Sequence, residues 1–210
     1  MTLVTVAASY GAGGSRVAPQ LARRLGVPFL GRPSDHAASA GPEAEAADAG
    51  VRAGRLLSRC ASVAVAWGTP PGLTTDELLP DEPRRRELER EVRTFAQPGR
   101  GVILGRGAAV LLRSDPRALH VLLDGPAPAR VIQAMAIEGI DRETAERRLT
   151  RTDRFRRAYL EDLYGIDPTA PGIFHLTLDS TAITLGDCVE LIAAAAQRRV
   201  ASTSSPGGGR

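Results

Sequence analysis

The sequence predicts an α/β domain built on a mostly parallel sheet with helices on both faces, and three features predict it. Short runs recur that are mainly apolar rather than alternating, as strands covered on both faces are: "LVTVAA" at 3–8, "VIL" at 102–104 and "ALHVLLD" ending at Asp124. Helical stretches separate these runs. The first run also breaks into glycines before restarting as a helix, the opening of a strand–loop–helix unit. With 210 residues, 43% of them hydrophobic, the chain can fill one domain with a core of its own.

After the glycines, "SRVAPQLARRLG" reads as an amphipathic helix closed by Gly26, with Val17, Leu21 and Leu25 on one face. Pro19 is placed within about its first turn, where a missing N–H is tolerated. "VPFL" at 27–30 is a second strand. Residues 33–55 are rich in Ala, Glu, Asp and Gly and predict helix and loop with little apolar periodicity. "LLSRCASVAVAWG" suits a core-packed helix, "TPPGLTTDELLPDEP" a proline-punctuated loop. "RRRELEREVRTFAQ" suits a charged helix facing inward through Leu88, Val92 and Phe95. The strand at 102–104 turns at Gly105, and another ends at Asp124. "APARVIQAMAIEGI" and "DRETAERRLTRTDRFRRAYLEDLYG" are helices, "FHLTLDS" at 174–180 a last strand and "TLGDCVELIAAAAQRR" a last helix. The domain is expected over 1–200, with 201–210 a disordered tail of Ser, Pro and Gly.

Net charge is only +3, but all 27 basic residues are arginine. Any phosphate bound here must therefore meet arginine, backbone N–H or metal, and arginine's planar fork suits phosphate oxygens. Cys60 and Cys188 are too far apart in sequence to form a metal-binding spacing and read as buried reduced thiols. The chain starts without a signal-like segment and holds no apolar run of membrane-spanning length, so a cytoplasmic protein without a membrane partner is expected.

Against the phosphate-loop pattern G-x-x-x-x-G-K-[ST], Gly13 holds the second glycine and Ser15 the hydroxyl that would ligate Mg²⁺. Ala8 stands where the first glycine belongs and Gly14 where the lysine belongs. Gly11, Gly13 and Gly14 permit close approach, and Arg16 is a nearby cation. The segment is either a phosphate loop running on other cations or a turn that holds nothing. Arg106, between two glycines after a buried strand, lies at the strand end where open α/β sheets bind ligands, or makes a surface ion pair. The helix at 147–159 carries Arg147, Arg148, Arg151, Arg154, Arg156 and Arg157. It reads as a solvated basic face or as a lid carrying arginines over a transferred phosphate, with Asp153 pairing to Arg156 or Arg157. His120 and His175 read as core or edge residues of strands, and Asp124 as a turn aspartate or a Mg²⁺ partner through water.

The order of these motifs, from "YGAGG" through "LGVPF", "VILGRGA", "LHVLLDGPAPARV" and "GIDRETAERRLTRTDRFRRAYLEDLYG" to "HLTLDSTAITLGDCVELI", resembles the cytidylate kinase-like family. The resemblance implies a P-loop NTPase-type parallel sheet flanked by helices, with a nucleoside-monophosphate-binding insertion at about 33–95 and an arginine-rich lid at about 141–166. It implies ATP and Mg²⁺ as cofactors, nucleotide substrates, and CMP or dCMP as acceptor. By position, Gly11, Ala12, Gly13, Gly14, Ser15 and Arg16 would form the ATP loop, with Ser15 on the metal. Arg32, Arg106, Arg130 and Tyr159 would meet substrate, and Arg151, Asp153 and Arg156 would form the catalytic set, the last two in a T-D-x-x-R-x-x-Y pattern with Tyr159. Gly14 in the lysine position is typical of this branch, whereas Ala8 replaces an arginine. A nucleotide-binding module with weak turnover and a kinase of another small acceptor are the alternatives. The modest net charge argues against a nucleic-acid partner.

Overall fold

A computed structural model describes residues 2–31, 82–167 and 172–203. The elements run β1 (Leu3–Ala8), α1 (Gly14–Leu25), β2 (Phe29–Leu30), α2 (Glu82–Ala96), β3 (Gly101–Leu104), α3 (Ala108–Leu111), β4 (Ala118–Asp124), α4 (Ala127–Glu138), α5 (Arg142–Tyr164), β5 (Leu176–Asp179) and α6 (Leu185–Thr203). The readings of 32–81, including Arg32, Cys60 and most of the acceptor-binding insertion, fall outside the described residues.

The strands form one five-stranded sheet in the order β2-β3-β1-β4-β5, every pair parallel. All carboxyl ends therefore share one edge. The chain leaves β1 toward β2 and leaves β4 toward β5, in opposite directions, so the crevice between their ends is the topological switch point where such sheets bind ligands. Alternation along β1 divides the core. Val4 and Val6 face α1 and α6, packing with Val17, Leu21, Cys188 and Ile192, while Leu3 faces α2 and α3 with Val92, Ile103 and Leu112. A smaller cluster joins α4 and α5 through Val131, Ala134 and Ala145, with Tyr10 packed against it.

Several elements differ from the sequence reading. β2 is confined to Phe29–Leu30 because Gly26 caps α1 in a left-handed conformation and the Val27 amide turns back to the Ala22 carbonyl. Pro19 lies in the second turn of α1, buried, where it forgoes the helical bond to the Ser15 carbonyl. β5 begins at Leu176, though the His175 amide already bonds His120 across the gap at 2.8 Å. α6 runs to Thr203, into the stretch read as tail. On α2, Val92 and Ala96 are buried and Leu88 only partly so. Cys188 is buried and reduced, its thiol pushed up by burial.

His120 and His175 stack across β4 and the start of β5, with ring centroids 4.9 Å apart. His120 is 2% exposed, shares a 2.8 Å hydrogen bond with Thr5 Oγ1, and its own amide donates to His175 Nδ1 at 2.9 Å. Burial, reinforced by the neighbouring imidazole, lowers the His120 pKa from 6.5 to about 4. The unfolded chain thus takes up a proton near pH 6.5 that the folded chain refuses, so this contribution is full above pH 6.5 and is lost as pH falls toward 4. Urea unfolding should show a loss of about 2 kcal/mol between pH 7.5 and 5 from this residue. His120→Phe should flatten the profile over that window, and an equally steep profile in the variant would show that the ring is not held neutral.

Candidate phosphate-binding site

The loop between β1 and α1 is shaped by glycines that have no room for a side chain. Gly11 has φ +79°, and a Cβ there would sit 2.2 Å from the Arg130 carbonyl oxygen. Gly13, the N-cap of α1, has φ +73°, and its Cβ would meet Leu185 Cδ2 at 2.6 Å. Gly14 needs no unusual φ, but a Cβ there would lie 2.4 Å from the Ala8 methyl and 3.3 Å from Leu104 Cδ1. Position 14, which holds lysine in the usual pattern, is therefore closed to any side chain while residue 8 carries a Cβ.

The Ala12 amide closes a turn on the Ser9 carbonyl at 3.0 Å, and Arg16 and Val17 take the Gly13 carbonyl. The amides of Gly11, Gly13, Gly14 and Ser15 have no backbone acceptor among the described residues. They gather at the positive end of the α1 dipole, a setting suited to anions. Ser15 and Arg16 are exposed on the first turn of α1. A loop so closely fitted, with amides to spare and a hydroxyl at its rim, fits a phosphate chain. Mg²⁺ takes few protein oxygens and otherwise phosphate and water, and the exposed Ser15 hydroxyl is the loop's one side-chain oxygen at the start of α1 that could contribute to such a shell. Among the described residues, no group of three His, Cys, Asp or Glu side chains could hold a metal by itself.

Outside the loop, α4 and α5 grip Tyr10. The buried Arg130 donates from Nε to Gly125 O and from Nη1 to Tyr10 O and Asp153 Oδ2, each at 2.8 Å. The other Asp153 oxygen accepts the Tyr10 amide at 3.1 Å. The Tyr10 hydroxyl donates to Glu138 at 3.0 Å, and Arg148 bonds the same Glu138 oxygen at 2.6 Å. Burial and the Glu138 carboxylate push the Tyr10 pKa up to about 12, so the phenol stays a donor. Gln133 donates to Gly11 O at 2.9 Å, and the Ser180 hydroxyl donates to Ala12 O at 2.8 Å. Asp124, half-exposed, lies 3.5 Å from Arg130 Nε.

A second group lies at the end of β3. Gly105, Arg106 and Gly107 all have positive φ, at +70°, +59° and +65°. This turn holds Arg106, whose Nη1 pairs with Glu91 and whose Nη2 donates to Gly31 O at 2.7 Å. A Cβ on Gly107 would touch Tyr164 at 3.2 Å and Tyr159 at 3.6 Å. Those rings meet edge to face at 6.0 Å, and burial raises both phenols.

The structure thus brings Gly11, Ala12, Gly13, Gly14, Arg130 and Asp153 together, and separately brings Arg106 to Tyr159. Asp153, expected to pair along its own helix, takes Arg130 of α4 and the Tyr10 amide. Arg130, expected to meet phosphate, commits Nε and Nη1 inside the protein. Arg156 lies one turn beyond Asp153 and one before Tyr159, half-buried, as is Arg151, whereas Arg147, Arg154 and Arg157 are exposed. α5 is one 23-residue helix tied near both ends. The sequence reading missed Tyr10, Gln133, Glu138 and Ser180. The spacing of Gln133, three residues after Arg130 on the same helix face, was the available signal.

Comparisons with known proteins bear on the family and the fold. A family model described as the cytidylate kinase-like family matches residues 3–182. A cytidylate kinase of Aeropyrum pernix is 36% identical over 136 residues, 61% of this chain and 76% of that one. A cytidylate kinase of Methanopyrus kandleri is 27% identical over 117 residues, covering 52% and 61%. Among solved structures, an uncharacterized protein from Eubacterium ventriosum superimposes with a TM-score of 0.65 at 16% identity, covering 94% of this chain and 99% of that one. A gluconokinase from Sinorhizobium meliloti does so at 0.54 and 18%, covering 97% and 98%. At these identities the solved structures show the fold.

The contact between positions 8 and 14 can be tested by a double-mutant cycle in urea. Gly14→Ala should destabilise by roughly 1–3 kcal/mol through overpacking, and adding Ala8→Gly should recover most of that loss. Strictly additive effects would show that the two positions do not share this space.

Proposed function

The chain belongs to the cytidylate kinase-like family, and from that premise we propose that it transfers the γ-phosphoryl group of ATP to a nucleoside monophosphate, CMP or dCMP, with Mg²⁺ accompanying the donor. The observation that carries this reading is the loop at residues 9–15, which follows β1 at the switch point of the sheet, whose glycines leave no space for side chains and whose Gly11, Gly13, Gly14 and Ser15 amides have no backbone acceptor among the described residues. Phosphoryl transfer needs positioning and charge stabilisation more than covalent help from the protein, and backbone amides with arginines supply both.

In this reading Gly11, Gly13, Gly14 and Ser15 bind the donor phosphates, with Ser15 also on the metal and Arg16 adding charge at the rim. Arg106 and Tyr159, with Arg32, serve the acceptor, which approaches from the β3 edge. Arg156, placed on α5 between the two groups, meets the phosphoryl group in transit, with Arg151 beside it. Asp153 and Arg130 act through the loop they hold. The closed position 14 also favours a second reading, a nucleotide-binding protein with slow turnover, because a loop cation is missing from the donor side.

A coupled phosphotransfer assay with ATP–Mg²⁺ against a panel of nucleoside monophosphates, run beside calorimetric ATP titration, separates the two. Turnover on a cytidine nucleotide supports the first; tight ATP binding with no turnover on any acceptor supports the second. In the active enzyme Arg156→Ala should lower kcat by roughly 10³-fold with little change in thermal stability. Unchanged turnover would remove Arg156 from the mechanism. Gly13→Val should abolish ATP binding, since the side chain would be strained at φ +73° and pressed against Leu185.

A further inference from the structure

The carbonyls of Tyr10, Gly11 and Ala12, successive along the loop, each accept from a side chain outside it: Arg130 at 2.8 Å, Gln133 at 2.9 Å and Ser180 at 2.8 Å. A trans peptide is planar, with its N–H opposite its C=O, so fixing the carbonyl of one residue fixes the amide of the next. Arg130 therefore aims the Gly11 amide, Gln133 the Ala12 amide and Ser180 the Gly13 amide. The Ala12 amide, in the plane Gln133 fixes, is spent on Ser9 and closes the turn that separates the Gly11 and Gly13 amides, so Gln133 acts on those two through the turn; neither of them has a backbone acceptor among the described residues. The restraints come from two places: Arg130 and Gln133 share a face of α4, and Ser180 directly follows β5, buried, with its amide bonded to Asp124 O at 3.0 Å.

We propose that Gln133 and Ser180, together with Arg130, are positioning residues that hold the loop's carbonyls outward so that its amides are already aimed at a bound polyphosphate. The need arises from the glycines. A glycine-rich stretch flips its peptide planes easily, and a flipped plane would turn a carbonyl oxygen, instead of an N–H, toward the anion. Fixing the planes beforehand removes an ordering cost from ligand binding. In a loop whose lysine position is closed, those amides carry more of the binding. The inference rests on the phosphate-binding part of the proposed function and is independent of the acceptor.

The test is calorimetric titration of the full chain with inorganic tripolyphosphate, followed by ATP–Mg²⁺ kinetics. Gln133→Leu, which keeps the volume and removes the donor, and Ser180→Ala should each raise the Kd for tripolyphosphate by about 10-fold. Gln133→Glu, with a carboxylate facing the Gly11 carbonyl, should weaken binding further. KM for ATP should rise in parallel while kcat changes by less than about 3-fold, a split that general loosening of the fold would not give. Wild-type affinity in both Gln133 variants overturns the inference, and if Ser180→Ala does not fold, those variants decide it. Lost tripolyphosphate binding in the variants of a protein that phosphorylates no nucleotide would uphold the inference and remove the kinase reading. Failure of the unaltered chain to bind either tripolyphosphate or ATP would overturn both.

Discussion

Asp153 receives the Tyr10 amide on one carboxylate oxygen and the Arg130 guanidinium on the other, while Arg130 reaches on to the carbonyls of Tyr10 and Gly125. These bonds join the end of β1, the end of β4, helix α4 and helix α5 at one point. Arg130 is buried, and a buried charge is tolerated only when its partner and its remaining donors are satisfied. The geometry around it is consequently hard to vary piecemeal. Moving α5 would strand the charge, and moving the loop would strand the carbonyls. The glycine loop keeps its shape because the Arg130–Asp153 ion pair outside it is built on the loop's own backbone groups.

Within that frame, each loop glycine answers a different neighbour: the Arg130 backbone for Gly11, Leu185 of α6 for Gly13, and the Ala8 methyl for Gly14. The missing lysine then has a steric account. One Cβ fits between β1 and the start of α1, and in this chain it belongs to residue 8. The chain has no lysine anywhere, and the guanidinium that contacts the loop is that of Arg130 on α4. A guanidinium can bond several oxygens in one plane, which suits the clamp at Tyr10.

Much of the architecture was legible because it follows from local pattern. The mainly apolar runs at β1, β3 and β4 read as strands covered on both faces, and Gly26 closed α1 where the sequence put it, whereas α4 stops at a left-handed Gly139, short of the Ile140 to which the sequence pattern ran. The strand–glycine–helix opening located the loop. What stayed hidden depends on contacts between residues far apart in the chain. Ser180 meets Ala12 across 168 positions and Asp153 meets Tyr10 across 143, and no periodicity encodes such pairs. β2 was overextended because the amide of Val27 serves the helix cap before it, a competition for one hydrogen that composition does not show. The arginines of α5 looked alike in sequence and differ only in which way each faces.

α5 touches the loop through Asp153 and the β3 turn through the rings of Tyr159 and Tyr164, with no break between. A helix turns about 100° and rises about 1.5 Å with each residue. Inserting or deleting one residue between Asp153 and Tyr159 would swing one contact to the wrong side of the cylinder while the other stayed in place. The segment can therefore drift by substitution but hardly by change of length. Among descendants of this chain, the number of residues separating those two positions should be better preserved than most of the residues themselves.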